Sequence, residues 1–329
     1  MKRLLTDNTR LLFAAIILPI AAGIMPIMSG CAASPGDPDH INTRYPLANH
    51  ERVGTLDFSV LPEASGLAIS PTTPTTLWLV NDAGNDAELI AIDTPTMTSR
   101  VLEVAGIRNR DWEDLASFVR DDRSWLAIAD VGDNNAVRDS VAIIFVPEPA
   151  VGATTAENAM RVVLTYPDGA RDVEAIAVDA KTDAIYALSK RTKPAVLYRI
   201  SLTAAMRAAT ADEPMQWQRL GEINSIPQPT ALEIKLFPKF GKYRAQPVAM
   251  DVSPDGRRIA LLTYGEAYVA VVGENGDWLE ALNGTLHPVA MPVLPQPETI
   301  AVDNQGVIWI TTEQRDAPLL RFTPSPHSP

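Results

Sequence analysis

The sequence predicts an all-β protein, a β-propeller built of four-stranded antiparallel blades, and three observations carry that expectation. From Glu51 onward, short strand-like runs alternate with Asp, Gly, Pro and Asn turns, and helical periodicity is confined to Leu202 to Ala209. One unit recurs five times, as PEASGLAIS at 62, RDWEDLASF at 110, RDVEAIAVD at 171, QPVAMDVS at 246 and QPETIAVD at 296. Each copy is followed by a turn and a second strand, LWLVND, WLAIAD, IYALSK, IALLTY and IWITTE, at a nearly constant interval. Ser65 to Asp82 and Glu113 to Asp130 span 17 residues, Glu174 to Lys190 and Val248 to Tyr264 span 16, and Glu298 to Glu313 spans 15. A pattern held at that spacing marks a repeat architecture.

A third strand follows in each copy (ELIAID, SVAIIFV, AVLYRI, AYVAVV, PLLRFT) and a fourth in most (RVLEVAG, RVVLTYP, LGEINSI). Four strands in a unit of roughly 50 residues is the size of a propeller blade. The copies are 48, 61, 74 and 50 residues apart, and the surplus of the 74-residue interval is too short for a hidden blade, so five blades are favoured over six. The last unit stops after three strands. Its outer strand is expected from the opening segment, RVGTLDFSV within 51–60, which would close the ring and remove the open edge.

The chain ends read differently. Lys2, Arg3 and Arg10 precede an apolar segment from Leu11 to Met28, and Ser29 and Gly30 stand before Cys31, the one cysteine of the chain. The pattern resembles the lipobox of bacterial lipoproteins, which implies a signal peptide at 1–30 and a lipidated Cys31. Residues 31–50 are expected to form a polar, proline-bearing tether, 51–324 the propeller and 325–329 a tail. Ala32, where inner-membrane lipoproteins carry a retention aspartate, implies an outer-membrane anchor facing the periplasm. Removing 1–30 takes away three bases and one acid, moving the net charge from −12 to −14. So acidic a domain argues against nucleic acid and against anionic lipid, leaving the lipid anchor as the expected membrane contact, and a monomer is expected.

In a propeller the first strand of each blade lines the central channel, so its start and the end of the second strand share one rim. That rim should gather Glu63 and Ser65, Asp111 and Glu113, Asp172 and Glu174, Gln246, and Gln296 and Glu298, with Asp82, Asp130, Lys190, Tyr264 and Glu313 from the second-strand ends. Like charges in a narrow mouth raise carboxyl pKa values or call for a cation. Glu63, Glu113, Asp130, Asp172, Glu174, Glu298 and Glu313 are the candidate ligands, and an all-oxygen set suits Ca²⁺. The competing reading is structural, each carboxylate holding backbone N–H groups of the next blade. VGDNNAVRD brings Asp133 and Asn134 toward the same rim, and TALEIKLFPKFGKYRAQ at 230–246 should overhang it with Lys235, Lys239, Lys242 and Arg244. With Asp82, these are the candidate contacts to an anionic ligand.

The four histidines are His40, His50, His287 and His327, none placed to form a triad or zinc site inside the ring. No G-x-S-x-G elbow, P-loop or dinucleotide fingerprint occurs, so nucleotide, haem and zinc are not expected.

DWEDLA at 111, DVGDNN at 130, YPDG before DVEAIAVD, and IYALSKR resemble the bacterial WD40-like propellers grouped with the esterase-like, phytase-like family. The resemblance covers most of 51–323, with Gln246 and Val248 departing from it in the fourth copy. Two readings stay open. One is a lipid-anchored module that binds a small anionic ligand or a protein partner through the acidic rim, with a divalent cation. The other is a calcium-dependent phosphatase or esterase using the same carboxylates, with Glu174 and Lys190 as the catalytic pair.

Overall fold

The computed structural model describes residues 49–323, and these form five mainly antiparallel sheets arranged as the blades of a ring. Blade one comprises Ala64–Ile69, Thr76–Asn81, Glu88–Asp93 and Thr98–Val104. Blade two comprises Trp112–Arg120, Arg123–Asp130, Val141–Pro147 and Met160–Thr165. Blade three has Val173–Asp179, Ala184–Ser189, Ala195–Ser201 and Gln218–Ile223, and blade four has Pro247–Val252, Arg258–Thr263, Ala267–Val271 and His287–Val289. Each innermost strand packs against the next, and that of blade five against that of blade one.

Blade five contains Pro297–Val302, Ile308–Thr312 and Pro318–Thr323, and its fourth strand is Asn49–Thr55 from the opposite end of the described chain. Asn49 faces Thr323 and Thr55 faces Pro318 in an antiparallel ladder. The expected closure by the opening segment is therefore present, two residues earlier than its predicted start and ending before Leu56. Cys31, the expected signal and positions 31–48 of the expected tether lie outside the described residues, whereas positions 49 and 50, expected in the tether, belong to this strand.

The core is divided by the blades. Five apolar layers are found among the described residues, one between each pair of neighbouring sheets. Strands near the axis are buried on both faces, so Val173–Asp179 and Ala184–Ser189 have no exposed residue. The usual in–out alternation of a half-solvated strand is lost there because each sheet is sandwiched between two others.

The unequal intervals have a structural cause. The connection after the third strand of blade two adds Thr155–Ala156 in parallel to the outer strand of blade one. The corresponding connection of blade three adds Met215–Gln216 in parallel to the outer strand of blade two, after helix α1 (Leu202–Ala211). Ser201 caps that helix by accepting from the Ala204 N–H at 3.1 Å, and Leu202, Ala205 and Ala208 bury one face. The predicted helix ends two residues short of the observed one. Two further short helices, α2 (Ala231–Leu236) and α3 (Trp278–Asn283), were not expected; each is initiated by a side-chain cap, Thr230 and Asp277 respectively.

Candidate functional site

The repeat positions a β-bulge at one place in every blade. In blade one Ala64 pairs with Asn81 and Gly66 with Val80, leaving Ser65 as the extra residue. The same shift leaves Glu113, Glu174, Val248 and Glu298 unpaired in the other four. These are the five second key positions of the sequence motif. A bulge re-aims the side chain it carries, and repetition around the ring turns a sequence pattern into a ring of inward side chains. Glu113, Glu174 and Glu298 are all buried.

A second ring lies beside it. The N–H of Asp82 donates to the Glu63 carbonyl (2.9 Å), Lys190 to Asp172 (3.0 Å), Tyr264 to Gln246 (3.2 Å) and Glu313 to Gln296 (3.0 Å). In blade two the equivalent donor is Gly132, to Asp111 at 3.2 Å, and not Asp130. Asp130 instead pairs with Trp112, the register taken elsewhere by Asn81, Ser189, Thr263 and Thr312. One step along a strand reverses the side chain's face, so Asp130 leaves the ring that the sequence spacing assigned it to. It forms a buried ion pair with Arg138, at 2.7 Å.

Gly132 thus replaces a side chain with a vacancy, and two carboxylates occupy the space. A Cβ added there would meet Glu113 Oε1 and lie 2.5 Å from the Asp111 carboxyl carbon. Asp82, Asp111 and Glu113 each bring one carboxylate oxygen within 4.8 Å of the others. Opposite ligands of a calcium ion stand roughly 4.6–5.2 Å apart, twice the usual Ca–O distance, so three such oxygens match one shared ion. Burial first, and then the Asp82 charge, holds Asp111 up at about 6, while Arg138 pulls the other way. Burial, followed by Glu174 and Asp82, pushes Glu113 well above the usual carboxylate range, and burial raises Asp82. Asp82 is fixed from behind: Asn109 donates to its carbonyl at 2.9 Å and Asn85 at 3.1 Å.

Blade three brings two cations to the mouth, each ion-paired with an acid. Lys190 forms a buried ion pair with Glu174 and donates to the Tyr264 hydroxyl at 2.8 Å. Burial, the largest single influence, disfavours its ammonium, but Glu174, Tyr264 and Glu298 together outweigh that and raise its pKa. Arg191 pairs with Asp172 and hydrogen-bonds Asn134. Glu298 lies beyond, raised well above its ordinary range by burial and by Glu174; Glu313, held at about 7 by burial and by Asp82 and Glu63, accepts from Gln296 at 3.1 Å.

The expected site residues therefore separate into groups. Asp82 and Glu113 meet, joined by Asp111, which the sequence placed on the rim but not among the ligands. Glu63 is tied to Asn85 at 2.8 Å, Asp172 to Arg191, and Glu174 to Lys190. Asp133 is buried and accepts the Val137 and Arg138 N–H groups at 2.9 and 2.7 Å, shaping its own loop. Lys235 and Lys239 are exposed on the 230–244 segment, while Arg244 reaches Glu233 at 3.5 Å and the Gly265 carbonyl at 3.3 Å. Ser65 donates to the Trp112 carbonyl at 2.8 Å, linking blades one and two.

Among the expected rim acids Asp172 staples neighbouring blades, accepting the Asp133 N–H at 3.2 Å, and two further carboxylates outside the key positions do the same. Asp114 is fully buried and accepts from Leu115 (2.8 Å), Ile176 (2.8 Å) and Met250 (3.3 Å), joining blades two, three and four at the axis. Asp251 accepts the Val302 N–H at 2.9 Å and joins blades four and five. Their signal was present as DWEDLA and AMDVS, each with an acid one or three residues past the key position.

No protein-family model matches the sequence, and none of the curated proteins matches it. Among solved structures, the chain is similar to a luciferin-regenerating enzyme (10% identity, 84% of this chain and 95% of that one, TM-score 0.47). It is similar also to the soluble aldose sugar dehydrogenase of Escherichia coli in its apo form (11%, 84% and 100%, 0.48). A third is regucalcin, a calcium-binding protein of Agrobacterium tumefaciens (12%, 79% and 70%, 0.40).

Proposed function

We propose that the mouth is a divalent-cation site, best suited to Ca²⁺, that binds an anionic ligand. The observation that carries this reading is the convergence of Asp82, Asp111 and Glu113 within 4.8 Å over the bare Cα of Gly132. Three buried or half-buried acids that repel one another are stabilised either by protons or by a cation, and above neutral pH the cation is the better partner. Three ligands leave coordination positions open, and an anionic ligand would fill them with its own oxygens, with Lys190 and Arg191, paired to Glu174 and Asp172, as the cations of the same mouth. The test is a thermal-shift titration with Ca²⁺ and EDTA. Ca²⁺ is expected to raise Tm in the wild type and to have no effect on Glu113→Gln. An equal response in both, or none in the wild type, sinks the proposal.

A second reading is hydrolysis of a phosphate or carboxylic ester bound to that cation. What favours it is Glu313, outside the three proposed ligands, whose carboxyl is held at about 7 by burial and its acidic neighbours, near the range where a general acid or base works at neutral pH. This is the activity that the resemblance of DWEDLA and DVGDNN to the esterase-like, phytase-like propellers implies. Release of p-nitrophenol from its phosphate and acetate esters, with and without Ca²⁺, distinguishes an enzyme from a binding module. Attachment through Cys31 to the outer membrane, facing the periplasm, belongs to the same proposal; radiolabelled palmitate incorporated by the wild type but not by Cys31→Ser would support it.

A further inference from the structure

Residues 230–244 expose an apolar surface. Leu232 is 63% exposed, Ile234 40%, Leu236 63%, Phe237 44% and Phe240 46%, so half of the large exposed apolar side chains among the described residues fall within nine positions. Helix α2 buries none of its residues. A cluster of this kind marks a binding surface.

The segment is nevertheless built. Thr230 and Glu233 form a reciprocal capping box, and the Phe237 and Gly241 N–H groups donate to Glu233 and Phe237 carbonyls at 2.8 and 2.6 Å. Gly241 presses its backbone on the helix; a Cβ there would lie 2.8 Å from Ile234 Cα. Arg244 fastens the segment to the rim by accepting the Gly265 N–H at 2.9 Å and donating to the Gly265 carbonyl at 3.3 Å. The neighbouring residue is Tyr264, whose hydroxyl accepts from Lys190. The apolar platform is thus tied to the strand end that brings Tyr264 to the mouth.

Its charge is opposite to that of the chain. Lys235, Lys239, Lys242 and Arg244 stand against the single acid Glu233, in a protein of net charge −12. Lys242 lies over the Tyr243 ring at 4.7 Å and Arg244 over Phe237 at 5.7 Å, so cation and apolar surface are presented together.

We propose, building on the cation-site reading above, that the ligand is an amphiphilic anion: a phosphate or carboxylate head taken by the mouth, and a hydrocarbon chain laid over Leu232, Leu236 and Phe237. A six-residue helix is about 9 Å long, which suits a single medium-length alkyl chain and is too short for a helix lying in a bilayer surface.

The test compares methyl phosphate with octyl phosphate by calorimetry, below the micellar concentration, in dilute CaCl₂ at pH 8. Octyl phosphate is expected to bind at least tenfold more tightly than methyl phosphate. In the double variant Leu232→Ser/Leu236→Ser, whose side chains are exposed, the two should bind equally while the Ca²⁺-induced rise in Tm is retained. Equal affinities in the wild type, with the Ca²⁺ response intact, overturn the amphiphile and leave the cation site standing. A missing Ca²⁺ response with chain-length preference intact overturns the cation site and supports the apolar arm. Co-sedimentation with phosphatidylglycerol vesicles without binding of monomeric octyl phosphate overturns the proposal in favour of a membrane surface.

Discussion

Glu113 and Gly132 fit together: the carboxylate of the bulged glutamate occupies the space that a side chain at position 132 would take. Gly132 has no left-handed backbone angle to explain it, since its φ is not among the positive values of the chain. Its missing Cβ is therefore a matter of room, and the room belongs to Asp111 and Glu113. Gly132→Ala should fold with a loss of about 1–3 kcal/mol from overpacking and lose the Ca²⁺-induced rise in Tm. Thermal-shift assay with and without Ca²⁺ reads both effects, and an undiminished Ca²⁺ response would show that the vacancy does not serve the cation.

The acids of the mouth predict an unusual pH dependence. Asp111 is held at about 6 and Glu313 at about 7, above their unfolded values of roughly 4, so the folded chain without cation binds more protons than the unfolded one between those limits. That contribution to stability is complete below about pH 4 and is lost as pH rises through 6 to 7. In EDTA, Tm should fall between pH 5 and pH 8; in CaCl₂ the loss at pH 8 should be recovered, because the cation requires the deprotonated acids. A Tm in EDTA that rises over this interval would contradict the raised pKa values.

Lys190 neutralises Glu174 in a place where neither is solvated. Lys190→Met leaves that carboxylate, and Glu298 beside it, without their nearest cation, and should cost about 3–5 kcal/mol in urea unfolding. Lys190→Met/Glu174→Leu should recover most of that loss, since the pair disappears together. A double variant no more stable than the single would mean that Lys190 acts through Tyr264 instead.

Asp114 ties three blades through three backbone N–H groups. Asp114→Ala strands these donors at the axis, at roughly 1–3 kcal/mol for each buried donor left unpaired, whereas Asp114→Asn keeps one acceptor and should lose less. Equal urea midpoints for the two variants would rule out the acceptor role.

Deleting residues 49–55 removes the partner of Pro318–Thr323 and opens the ring. The truncated domain should lose its single cooperative unfolding transition and self-associate through the exposed edge, as followed by circular dichroism and light scattering. A truncated domain that stays monomeric with an unchanged transition would show that closure is dispensable.

The sequence by itself determined the architecture: five copies of one motif, at one spacing, specify five blades, and a last copy short of one strand calls on the segment before the first copy to complete it. It also marked the ring of inward side chains, because Ser65, Glu113, Glu174, Val248 and Glu298 occupy one position of the repeat and the bulge falls there every time. What only the tertiary structure decided is which acids meet. Asp130 and Gly132 are two residues apart in a stretch one residue longer than its counterparts; the extra residue puts Asp130 one step short of the mouth position, against Arg138, and gives Gly132 the backbone bond that Asp82 and Lys190 make in their blades. Arginines from loops the repeat does not describe, Arg138 and Arg191, then claim Asp130 and Asp172, leaving Asp82, Asp111 and Glu113 to converge. A repeat encodes position along a strand, but pairing across blades depends on distances set by the closed ring and on the irregular loops between its strands.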